Sequence, residues 1–182
     1  MATTTLMTAD ELLRMQSDEF RYDLIRGELR RMSPAGFRHG KIAMRVSIPL
    51  GLFVDEHDLG DIVAAETGFR LDRHPEVVLG PDLAFVRAGR IPPDADQDRY
   101  LELAPDLVLE VVSPGTPFDE VMEKVDLYVQ YGVPLVWLAL PKRRVVMVFA
   151  VGQPSITLHE DDILDGGDVL PGFRLPVADI FR

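Results

Sequence analysis

Apolar residues recur at two different periods along the chain, and the alternation between them predicts a fold of mixed helices and strands. Residues 38–57 carry Ile42, Val46, Leu50 and Val54 at four-residue intervals, the stripe of an amphipathic helix. Pro49 and Gly51 interrupt that stripe, so a kink or two shorter helices are expected near 48–51. A second helix is predicted over 117–131. Val121, Val125, Tyr128 and Val129 form its apolar face, Thr116 and Asp119 its capping box, and Gly132 and Pro134 its stop. A short helix over 8–16 begins at a Thr8–Glu11 capping box. Segments 22–26 and 28–32 read as a hairpin about Gly27, and Ser33 to Gly36 break the chain after it. Strands are predicted over 61–72, 76–79, 82–86 and 106–112, with a polar loop over 89–100. A further hairpin pairs 134–140 with 144–151, and the tail over 169–181 is apolar enough to pack back. Trp137, Phe85 and Tyr128 are expected in the core. With no internal repeat, this order favours an α/β or α+β domain.

Composition narrows the picture. A chain of 182 residues, 47% of them hydrophobic, fits one domain over 1–182, with 1–7 expected to be flexible. The absence of cysteine excludes disulfides, thiolate catalysis and cysteine-based zinc sites. No signal-peptide pattern and no membrane-length apolar run occur, so a soluble, cytoplasmic protein without membrane association is expected. The net charge is −11. Against that background residues 21–45 stand out, with seven basic residues against the two acids Asp23 and Glu28. This points to a basic face on an acidic body.

The informative anomaly is Glu110, set inside the apolar run Leu107-Val108-Leu109-Glu110-Val111-Val112. A buried carboxylate is costly unless it is paired or bound to a cation. Asp82 opens a neighbouring predicted strand, as Asp106 opens this one. If the two strands pair, Asp82 and Glu110 converge and offer hard oxygen ligands suited to Mg2+ or Mn2+. Such a cation can activate water against a phosphodiester. Lys124, on the helix that follows the Glu110 strand, is the candidate positive group; an i, i+4 pair with Glu120 is the bland alternative. Ser113 lacks a nucleophile-elbow setting, and no Walker-type phosphate loop occurs.

The run GPDLAFV, then APDLVLEVVSPGT, then EKVDLYVQYGVPLVWL resembles the Uma-type restriction-endonuclease family. This large bacterial group, long labelled a domain of unknown function, is placed in the PD-(D/E)XK nuclease superfamily. YDLIRGELRRMSP, LGDIVAAETGFRL and LPGFRLPVADIF extend the resemblance to about residues 8–182. It implies a restriction-endonuclease-like core, a mixed central β-sheet flanked by helices, with an N-terminal helix and hairpin. Asp82 matches the PD aspartate, Glu110 the acid of (D/E)XK, and Lys124 a lysine moved to the following helix. Val112 stands where the motif lysine is otherwise found. Glu28 and Glu66 become candidate further metal ligands, and His39 a candidate proton carrier or phosphate contact. Arg38, Lys41 and Arg45 become candidate nucleic-acid contacts. The implied activity is a Mg2+-dependent endonuclease acting on DNA, working as a homodimer or higher homo-oligomer. The alternatives are a catalytically inactive nuclease-like module for binding or assembly, and a nuclease acting on RNA.

Overall fold

A computed structural model describes residues 6–15, 20–32, 34–65 and 67–182. Residues 1–5 of the start expected to be flexible over 1–7, Ser33 of the predicted break and the candidate ligand Glu66 lie outside the described residues, while Met7 of that start donates its N–H to the Gly27 carbonyl at 2.8 Å.

The strands form two main sheets. The larger has six strands in the order β10-β9-β8-β7-β6-β3. These are Ile156–Leu158 (β10), Val145–Ala150 (β9), Leu135–Leu140 (β8), Leu107–Val111 (β7), Leu83–Arg87 (β6) and Gly60–Ala64 (β3). Among the strand pairs described, only β7 and β8 run parallel, and helix α3 (Phe118–Gln130) makes the crossover between them. A parallel pair needs such a connection, whereas the antiparallel neighbours need only turns. The smaller sheet, in the order β2-β1-β5-β4, comprises Glu28–Met32, Arg21–Ile25, Glu76–Leu79 and Phe69–Arg73.

The two faces of the large sheet bury different partners. On one side Leu83, Phe85, Leu107, Leu109 and Trp137 pack against helix α2 (Phe37–Glu56) through Ile42, Val46, Leu50 and Val54. The C-terminal hairpin β11–β12 (Ile163–Gly166, Leu170–Pro176) and helix α4 (Val177–Phe181) complete this layer. The predicted apolar tail therefore does fold onto the core. On the other side Ala84, Val86, Val108 and Leu138 meet Val121, Val125 and Tyr128 of α3 and Ile25, Phe69 and Leu79 of the small sheet. Trp137, Phe85 and Tyr128 are fully buried.

Three local readings change. The predicted strand over 61–72 is two strands in different sheets, β3 and β4. Near the break the chain passes so close to Tyr100 that a Cβ on Gly68 would lie 2.7 Å from its ring. Helix α2 runs unbroken through Pro49, so the two-helix alternative is not realised. Its buried stripe, at most 3% exposed, holds it to the sheet on both sides of the proline. Helix α3 takes Pro117, not Thr116, as N-cap, with no side-chain cap. By contrast the Thr8–Glu11 capping box of α1 (Ala9–Arg14) forms as read. The hairpin β1–β2 turns through Arg26 and Gly27, both at positive φ (53° and 82°), as a tight two-residue turn matched to strand twist requires.

Leu50 is fully buried between α2 and the sheet. Leu50→Ala should lower unfolding free energy by about 2–5 kcal/mol in chemical denaturation, because the flat sheet face cannot collapse into the void.

Candidate active site

Strands β6 and β7 pair with Leu83 opposite Leu109, which sets Asp82 level with Glu110. The Asp82 N–H donates to the Leu109 carbonyl (3.1 Å), and Asp82 Oδ2 accepts the Val111 N–H (2.7 Å). The sequence thus brings both acids to one point by register alone. Period-2 alternation then turns Glu110, with Val108, away from α2 and toward α3.

Helix α3 answers with Lys124 and Tyr128, one turn apart on its buried face. Lys124 Nζ lies 2.8 Å from Glu110 Oε1 and 3.1 Å from Asp23 Oδ2, and it donates to the Gly80 carbonyl at 3.0 Å. An ammonium has three protons, and these are three acceptors. The Tyr128 hydroxyl also donates to Glu110 Oε1, at 2.8 Å. The bland pairing of Lys124 with Glu120 is not made; Glu120 lines the cleft instead. On the other side His39 Nε2 sits 3.0 Å from Asp82 Oδ2. Of the five buried polar or charged side chains described, four meet here: Asp23, Asp82, Glu110 and Lys124.

Asp23 is the member that sequence reasoning missed. It is 4% exposed on β1, with Oδ1 accepting the Gly80 N–H (2.8 Å) and Oδ2 facing Lys124. Its signal was the one that flagged Glu110, an acid inside an apolar strand, here Tyr22-Asp23-Leu24-Ile25. Glu28, the early acid the resemblance suggested, lies at the far end of the same hairpin opposite Ile25. It is exposed, faces Arg30 at 3.8 Å and does not join the cluster. Asp106 ends up structural: Oδ2 accepts the Arg87 N–H and an Arg90 guanidinium N–H, anchoring the loop after β6. Arg70 pairs with Glu76 and Glu102.

A cleft of about 420 Å³ opens over the cluster, lined by Asp23, His39, Asp82, Glu110 and Lys124 and walled by Arg21, Arg30 and Arg31 of the hairpin. Arg38, Lys41 and Arg45 do not line it. At 100° per residue Lys41 points about 160° away from His39 on α2. The basic part of segment 21–45 that reaches the cleft therefore comes from β1 and β2.

Each carboxylate has a distinct degree of saturation. Both Asp23 oxygens are engaged. Asp82 and Glu110 each have one oxygen fixed by protein donors, while no described residue donates to Asp82 Oδ1 or Glu110 Oε2. Among the described residues no group of three or more His, Asp or Glu is placed to hold a metal ion. Two open carboxylate oxygens on one cleft nonetheless fit Mg2+, which keeps several waters and takes one or two carboxylates.

The charge balance shapes the titration. Burial pushes the Glu110 carboxyl up to about 7; Lys124 pulls it down, while Asp82 and Asp23 push it up further. Burial opposes the charge on Lys124, but Asp23 and Glu110 together outweigh it and hold the ammonium above its ordinary range. One lysine between two acids keeps its proton, and Glu110 is the acid pushed up. The hydrogen bond to Asp82 raises His39, with burial opposing it. Burial and then Glu110 hold the Tyr128 phenol well above its usual value, so it stays a donor.

The chain's sequence matches the family described as "Putative restriction endonuclease" (Uma2) over residues 9–178. It belongs to that family. No curated protein sequence matches it significantly. Among solved structures the fold is similar to a "putative nuclease belonging to DUF820" from Anabaena variabilis ATCC 29413. The TM-score is 0.84 at 19% identity, covering 96% of this chain and 97% of that one. The architecture is thus that of a nuclease-like domain, a mixed sheet flanked by helices. In this Uma2 chain Val112 stands two residues after Glu110, and the lysine that reaches Glu110 is Lys124 of α3.

Glu110 has a folded pKa above its ordinary 4.5, so its share of stability is full below that value and is lost as pH rises through about 7. His39, also raised, contributes below its ordinary 6.5 and loses that share as pH climbs through its folded value. The metal-free thermal midpoint should therefore fall between about pH 5 and pH 8, and Glu110→Gln should flatten much of that fall. Lys124→Met strands Asp23 and Glu110 without a cation. It should cost ~3–5 kcal/mol at alkaline pH and distinctly less where the acids can protonate.

Proposed function

We propose that the protein is a divalent-cation-dependent endonuclease that hydrolyses DNA phosphodiester bonds. The observation that carries this reading is the pair of half-used carboxylates. Asp82 and Glu110 are each locked through one oxygen and open through the other, beside a lysine that cannot lose its proton near neutrality. Asp82 and Glu110 would hold Mg2+ or Mn2+, which when bound supplies Lewis-acid polarisation of the phosphate and a more acidic attacking water.

The chain's own groups account for the rest. In hydrolysis a water oxygen bonds to phosphorus, the bond to one sugar oxygen breaks, and a proton passes from the water to the leaving oxygen. Lys124 acts as a fixed positive charge facing the charge that develops on the phosphoryl oxygens, not as a base, since both acids beside it favour its charged form. His39 lines the cleft; its hydrogen bond to Asp82 holds the imidazole above its ordinary range, and that contact through Nε2 fixes its orientation. It carries the proton through Nδ1. Tyr128 holds Glu110 in place. Arg21, Arg30 and Arg31 on the cleft wall favour a polyanion despite the net charge of −11. Membership of a family named for restriction endonucleases supports DNA over RNA.

Supercoiled, linear and single-stranded DNA and RNA, each incubated with Mg2+ or Mn2+, provide the test. Asp82→Ala should abolish cleavage while the protein stays folded, and Lys124→Ala should cut the rate by at least ~100-fold. Cleavage by Asp82→Ala at the wild-type rate would overturn the assignment, and cleavage confined to RNA would replace the substrate. Independently of turnover, millimolar Mg2+ or Mn2+ should raise the thermal midpoint, and more at about pH 8 than at pH 6, because Glu110 must ionise to bind. No shift at either pH would favour a binding module without metal chemistry.

A further inference from the structure

Helix α2 buries one face and leaves a second apolar face uncovered. Phe37, Met44, Ile48 and Leu52 are 89%, 55%, 56% and 66% exposed. At 100° per residue Phe37, Lys41, Met44, Leu52 and Asp55 all fall within about 40° of Ile48, opposite the stripe that packs on the sheet. This is one continuous ridge along a 20-residue helix, about 30 Å long.

The charges on α2 are placed against its own interest. Its N-terminal half carries Arg38, Lys41 and Arg45 and no acid, and it ends in Asp55 and Glu56 with no base. The first turn has no acidic residue and the last has no basic one. The helix macrodipole favours the reverse at both ends. The Asp55–Glu56 end owes nothing to the cleft, which opens at the other end of the helix beside His39.

From the ridge and this charge order we infer that α2 is a self-association surface, which pairs antiparallel with α2 of a second copy about a two-fold axis at Ile48. The register is self-complementary. Ile48 meets its own counterpart, Met44 meets Leu52 of the partner subunit, and Lys41 meets Asp55 of the partner subunit. The Ile48 contact lies on the axis, and the other two contacts each occur twice, as an isologous dimer requires. A parallel pairing would set basic against basic and acid against acid. The antiparallel one also places each helix's unfavourable end charges against opposite charges. His39 lies 180° from Ile48 around the helix, so both clefts stay open on the outer sides of the pair. The inference does not rest on the proposed nuclease activity. It gives Lys41 a partner other than nucleic acid.

The ridge is narrow beside the roughly 800 Å² per partner of a standard interface, so a dimer with a dissociation constant in the micromolar range is expected. Sedimentation equilibrium at about 0.15 M ionic strength, where the repulsion between two acidic bodies is screened, measures it. Ile48→Asp should leave a monomer with an unchanged thermal midpoint. Lys41→Glu and Asp55→Lys should each weaken association by about tenfold or more, since each sets like charges together twice. Mixing these two variants should restore the dimer, because both contacts between Lys41→Glu and Asp55→Lys chains are then of opposite sign. A wild-type monomer at roughly 300 µM, far above the need of a weak interface, would overturn the inference. So would a dimer that survives Ile48→Asp, or the absence of rescue on mixing.

Discussion

The site and much of the packing around it depend on one ammonium with three acceptors. Lys124 reaches from α3 to Glu110 on β7, Asp23 on β1 and the Gly80 carbonyl just before Asp82. Those contacts draw together a crossover helix, the centre of the large sheet, the small sheet's hairpin and the turn leading into β6. Buried ion pairs of this kind seldom add net stability, because desolvation offsets attraction. What such a contact fixes is position. Any other docking of the hairpin or of α3 would leave a charge buried without a partner.

A lysine so placed settles the division of labour among the acids. Asp23 is consumed in holding the architecture, with both oxygens occupied. Asp82 and Glu110 are each braced through one oxygen by Val111, His39, Lys124 and Tyr128, while no described residue donates to the other oxygen. Rotamers locked in this way lose little freedom when a ligand arrives, which is how a site on rigid strands differs from one assembled from loops. The cost falls on Glu110, whose ionisation burial opposes.

Much of this was legible in the chain because the strongest cues are local violations of a pattern. Glu110 breaks an apolar strand, and that break located the site; the same cue at Asp23 was passed over for Glu28. Both acids belong to one hairpin, and only the register about the Arg26–Gly27 turn and the docking of β1 on β5 decide which faces inward. Lys124 was readable as a helix-face residue. Its three acceptors were not, since they lie 14, 44 and 101 positions back along the chain. The 61–72 run reads as one strand because nothing in its alternation announces the passage from the six-stranded sheet to the four-stranded one. Arg38, Lys41 and Arg45 are close in sequence, but a helix distributes such neighbours around its axis, and none of the three lines the cleft.

The layer beneath α2 is closed by the other end of the polypeptide. Ile42, Val46 and Leu50 share their core with Leu164, Phe173, Val177 and Ile180, more than a hundred positions later. On a ribosome, α2 emerges long before its cover exists. Its apolar stripe must wait, exposed or held by a chaperone, until β12 and α4 have left the exit tunnel. Order of synthesis and order of packing therefore run against each other in this half of the molecule. The helix made early is sealed last, and loop closure of that length slows the step that seals it.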